Sequence, residues 1–179
     1  MDDEQSWLVL VYRVPTEPTR LRAAVWRRLK SLGAIYLQNS VAALPADAAA
    51  ERALRTLRRE IQDMGGTAHL LRCTVLAGAT DVRGAFNAAR DEEYEEIVDR
   101  CRDFLAEIEK ETAAEHFTFP ELEENDEDLA KLRGWFDKVR ARDALGAPGQ
   151  REARAALESC AEALDGFANL VYAEDSDAR

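Results

Sequence analysis

The chain carries little of what the common catalytic devices need. It has two histidines, His69 and His116, which leaves scant material for a Ser-His-Asp triad or a multi-histidine metal site. Its three cysteines, Cys73, Cys101 and Cys160, are odd in number and stand 28 and 59 residues apart. That spacing makes neither a disulfide framework nor a CxxC metal knuckle, so reduced structural thiols are expected. No GxGxxG, no GxxxxGK followed by Ser or Thr, no GxSxG and no HExxH occurs. No apolar run approaches the length of a membrane span. The opening MDDEQS is acidic and lacks the basic segment of a secretory signal, so a cytoplasmic protein is expected. Internal repeats and low-complexity tracts are absent as well.

What is present fits a folded domain or two. With 179 residues, 46% apolar and 33% charged, the chain can bury a real core and has an ordinary globular composition. Its net charge of −11 is unevenly spread. Residues 1–76 carry 11 Lys and Arg against 8 Asp and Glu, whereas residues 77–179 carry 13 against 27. The first region is therefore +3 and the second −14, which assigns them different electrostatic roles. A protein that binds nucleic acid over its whole surface would not be built this way.

The apolar run from Trp7 to Val14 predicts a strand, stopped by Pro15 and Pro18. A helix is expected from Glu17 to Leu32, with Leu21, Val25, Leu29 and Leu32 on one face and Gly33 as its cap. Residues 35–38 and 41–45 read as two short strands joined at Asn39-Ser40, where Asn39 tolerates positive φ. Asp47 is an N-cap for a second helix whose apolar face is Ala50, Leu54, Leu57, Ile61 and Met64. Gly65-Gly66 ends it, and Thr67 to Leu76 reads as a fourth strand. The order β-α-β-β-α-β predicts a ferredoxin-like domain, with both helices on one face of a four-stranded antiparallel sheet.

Gly78 to Gly84 is a composition break, beyond which the periodicity is purely helical. Tyr94, Ile97, Cys101, Leu105, Ile108 and Thr112 trace one stripe. Leu129, Leu132, Phe136 and Val139 trace a second, after a turn around Pro120 and an N-cap at Asn125. Leu157, Cys160, Leu164, Phe167 and Val171 trace a third. The expected fold class is α+β: a ferredoxin-like domain over residues 1–77, an all-α three-helix bundle over 84–173 and an acidic tail over 174–179.

The candidate site is basic. Arg20, Arg27 and Lys30 fall opposite the apolar face of the first helix, and Arg52, Arg55 and Arg59 opposite that of the second. Together they can form one surface for phosphates of DNA or for a small oxyanion, because guanidinium forks match such oxygens. Alternatively that surface docks the acidic region or is simply solvated. Trp26 alone adds an aromatic ring, so stacking of single strands is thinly supported. His116, Glu121, Glu123, Glu124, Asp126 and Asp128 could hold a cation, but an acidic helix start explains them better. No catalytic group, metal site or cofactor is assigned, and an enzyme is the weaker reading. If the first helix packs as drawn, Trp26 or Leu29 to Ala should cost about 2–5 kcal/mol.

An ordered set of residues resembles the N-terminal region of the ChrB chromate-resistance family. It comprises Trp7 leading an apolar strand, Arg22, Trp26-Arg27, Leu29-Lys30, Gly33-Ala34, Leu44-Pro45 and Gly65-Gly66 with Ala68. Phe86, Tyr94, the run from Phe119 to Leu132, Trp135-Phe136 and Arg142-Asp143 continue it. Residues 7–45 also look like the middle domain of PaaX-type repressors, which is Cas2-like and ferredoxin-like. Nucleases of that kind carry an aspartate at the end of the first strand, where this chain has Val14-Pro15. The resemblance implies a chromate-responsive regulator or sensor in a stress response, with chromate or DNA as ligand. The alternative is a non-catalytic interaction module whose acidic helices bind a protein partner or make a homodimer. No membrane partner is expected.

Overall fold

A computed structural model describes residues 5–177. The elements run β1 (Trp7–Arg13), α1 (Thr19–Ser31), β2 (Ile35–Gln38), β3 (Val41–Pro45), α2 (Ala48–Asp63), β4 (Thr67–Cys73), α3 (Ala79–Ala113), α4 (Phe119–Arg142) and α5 (Gln150–Asp177). The four strands form one sheet in the order β2-β3-β1-β4, and every neighbouring pair is antiparallel. The protein is therefore α+β. By contacts it divides into two compact units, Met1–Ala89 with Arg142–Leu145, and Arg90–Ala141 with Gly146–Arg179.

In the first unit β1 is central, as its apolar run requires. Leu8 and Leu10 alternate into the core, where Val25 and Leu29 of α1 and Leu54, Leu57 and Ile61 of α2 meet them. Trp7 has the opposite parity and packs edge-on against Phe86 near the start of α3, with ring centroids 6.0 Å apart. Asp47 caps α2, its Oδ1 accepting from the Ala50 N–H at 2.8 Å. Gly33 and Gly65 take the positive φ that ends each helix.

Several expectations need correction. The positive φ in the β2–β3 turn is at Ser40, not Asn39, and β2 slips register between Tyr36 and Gln38. Helix α1 begins at Thr19, with Pro18 as its extended N-cap residue. Trp26 lies on its open flank, 52% exposed, so Trp26→Ala should cost little, whereas Leu29 is fully buried and its truncation should be costly. Strand β4 stops at Cys73, three residues before Leu76. Helix α3 starts at Ala79 and runs through Gly84, because Gly78 accepts from the Asp81 and Val82 N–H groups and opens the first turn.

In the second unit the three helical stripes bury one another. Tyr94, Ile97, Cys101 and Ile108 of α3 join Leu129, Phe136 and Val139 of α4, and Leu157, Cys160, Leu164, Phe167 and Val171 of α5. Asn125 is not an N-cap. Helix α4 starts six residues earlier with Pro120 in its first turn, and Asn125 is buried, donating to Glu111 Oε2 at 2.9 Å and to the Glu121 carbonyl at 2.8 Å. Helix α5 continues past Glu174 to Asp177.

Candidate anion-binding surface

The two helices of the first unit bury one stripe each, and this decides where their cations go. Val25 and Leu29 point α1 into the core, so Arg20, Arg27 and Lys30 emerge on its far side, all exposed. Leu54, Leu57 and Ile61 do the same for α2, leaving Arg52, Arg55 and Arg59 exposed. Among the described residues only Arg55 of these six makes an ion pair, with Glu51 one turn earlier at 2.7 Å. That carboxylate also takes Arg72 of β4 at 2.6 Å. The two guanidiniums, Arg55 first and then Arg72, hold Glu51 below the usual carboxylate range.

Around this pair α2 and β4 form an open cleft of about 270 Å³, lined by Arg55, Arg58, Arg59 and Arg72 with Glu51 as the acid. Arg58 is anchored there, its Nε donating to the Ala68 carbonyl at 3.0 Å. Four guanidiniums against one carboxylate leave a local surplus of positive charge, which a phosphate or other oxyanion can neutralise. Arg58 and Arg72 were not among the sequence candidates. Arg58 is on the flank of α2, and only strand pairing brings Arg72 alongside.

The remaining candidate groups fare differently. Among the described residues no group of three or more His, Cys, Asp or Glu side chains is placed to hold a metal ion. Cys101 and Cys160, far apart in sequence, are packed together, the Cys160 Sγ–H donating to the Cys101 carbonyl at 3.5 Å. Burial pushes both thiols up, Cys160 to about 12, so they stay protonated at neutral pH. Glu111 is buried beside Asn125. Burial raises its pKa most, the Asn125 amide opposes that, and the Glu121 carboxyl adds to the rise. No helix among the described residues is long and apolar enough to cross a membrane.

The family model described as Protein ChrB, N-terminal, matches residues 22–178. The chain belongs to the ChrB N-terminal family. The match opens inside α1 at Arg22 and takes in Arg27, Lys30, all the α2 arginines and the whole helical run beyond them. Only Arg20 of the six candidates precedes it. Membership of the ChrB family associates the chain with a regulatory role in chromate resistance. No curated protein and no solved structure matches the chain.

Proposed function

We propose that this ChrB-family protein is a cytoplasmic regulator of chromate resistance whose first unit, a ferredoxin-like domain, contacts DNA phosphates through the outer faces of α1 and α2. The observation that carries the reading is the set of five exposed cations, Arg20, Arg27, Lys30, Arg52 and Arg59, without an ion pair among the described residues. In the helical unit Arg100, Arg102, Lys110 and Lys131 instead sit in i, i+3 pairs with acids, where each supports its own helix. The four-arginine cleft beside α2 suits a single oxyanion, so the same surface can respond to a small anion that displaces a phosphate.

The test is binding of a fluorescent duplex from the protein's own upstream region, with chromate or sulfate as competitor. Binding should fall on replacing Arg52 and Arg59 by Gln, and the oxyanion should compete at lower ionic strength than chloride does. No binding of the duplex at low salt would refute the reading. A second reading, an interaction module built on a three-helix bundle, draws on the exposed pair Phe119 and Tyr172, which pack edge-on at 5.4 Å. Light scattering that finds a strict monomer would remove its homodimer form.

A further inference from the structure

A second open cleft lies at the other end of the first unit's sheet and uses none of the six cations above. It holds about 720 Å³ and is lined by Tyr12, Arg13, Val14, Thr16, Arg22, Trp26, Tyr36, Asn39 and Ser40, within the size range of small-molecule sites. Three sequence-distant aromatics converge there. Tyr36 of β2 lies level with Ala42 of β3, and Ala42 with Leu10 of β1. Tyr12, two residues on from Leu10, therefore shares that face with Tyr36, and their hydroxyls meet at 2.9 Å. Burial and this contact raise the Tyr36 pKa, so Tyr36 stays a neutral phenol at the cleft wall.

Helix α1 supplies the opposite wall. Arg22 and Trp26 stand one turn apart on the same flank, and the Trp26 indole is half exposed. Arg13, at the end of β1, and Arg22 are exposed and make no ion pair among the described residues. An open indole face, two uncommitted guanidiniums and the polar Asn39-Ser40 turn offer one ligand both a stacking platform and an anion clamp. A planar base carrying a phosphate needs that combination.

We propose that this cleft binds a nucleotide, its base stacked on Trp26 and its phosphate held by Arg22 and Arg13. The ligand can be a free mononucleotide or the end of a single strand, since both present the same base and phosphate. The proposal does not rest on the DNA contacts of α1 and α2. Arg52→Gln with Arg59→Gln should leave nucleotide binding unchanged however the duplex experiment turns out.

The experiment titrates the full chain with adenosine 5′-monophosphate, adenosine, ribose 5-phosphate and a short deoxyadenosine oligonucleotide, by calorimetry and tryptophan emission. The monophosphate should bind saturably and quench emission at Trp26, the exposed indole, a change that persists in Trp135→Phe and is lost in Trp26→Phe, since Trp7 is buried and Trp135 partly buried. Trp26→Ala should weaken it about 5- to 140-fold, the range a single base stack represents. Arg22→Gln should weaken the monophosphate and leave adenosine unchanged. A much tighter oligonucleotide would identify a strand end as the ligand; equal affinity would identify the free nucleotide. Both residues are exposed, so circular dichroism should show each variant folded. Absence of binding by monophosphate and oligonucleotide alike, or affinities unchanged in Trp26→Ala and Arg22→Gln, would overturn the proposal.

Discussion

Replacing Phe86 by Ala tests whether the first turns of α3 belong to the sheet's core. Phe86 is fully buried, and its ring meets Trp7 at a 74° interplanar angle. Removing a buried phenyl ring costs about 3–5 kcal/mol when the site cannot collapse, and the edge-to-face contact is worth about 0.5–1.5 kcal/mol of that. A small domain holds only about 5–15 kcal/mol in all, so the variant should lose a large part of the first unit's stability. In a Trp26→Phe, Trp135→Phe background, urea unfolding followed by tryptophan emission reads this at Trp7, with far-ultraviolet dichroism following the helices. The two traces should be fitted separately, since two units need not unfold together. Phe86→Leu should recover most of the loss, and Trp26→Ala, on an open flank, should cost little. If Phe86→Ala costs about 1 kcal/mol or less, a range typical of surface changes, then α3 does not seal the sheet and the assignment of its first turns is wrong.

Gly66→Ala should be as damaging, because a Cβ there would overlap the Arg13 carbonyl oxygen and lie 2.9 Å from Ile61 Cγ2; thermal unfolding within a degree or two of the native midpoint would contradict this. Glu111 gives a pH-dependent prediction. Its folded pKa is raised above the 4.5 of a free glutamate, so the folded state binds the proton more tightly. Its contribution is then fully present below the unfolded pKa and is lost as pH rises through the folded one. Glu111→Gln, whose amide oxygen can still accept from Asn125, should gain stability over the native protein as pH climbs from about 4 to about 8. A difference that shrinks over that range would show the opposite shift.

The sheet and the apolar stripes were legible because they are periodic. Leu54, Leu57 and Ile61 on α2, and Leu157, Cys160, Leu164, Phe167 and Val171 on α5, lie buried where their spacing put them. The Asp47 cap was legible because its chemistry is local. Asn125 was misread because an Asn before three acids looks like a helix start, whereas its amide is spent between helices on Glu111. Trp26 was misread because spacing places a ring on a flank without saying whether anything covers it. Arg72 beside Glu51, Tyr12 beside Tyr36 and Cys101 beside Cys160 depend on pairings across 21, 24 and 59 residues. No periodicity within one element reports those. For the candidate surface, the six cations were legible from helix faces, and the cleft that adds Arg58 and Arg72 was not.

Whether the outer faces of α1 and α2 meet phosphates decides the function. The salt dependence of duplex binding measures that directly, comparing the native protein with Arg52→Gln, Arg59→Gln and the double variant. Each lost phosphate contact should make the slope of log K against log salt shallower by about 0.9, with affinity falling similarly across sequences. Equal slopes in all four proteins, or no binding at low salt, would contradict it.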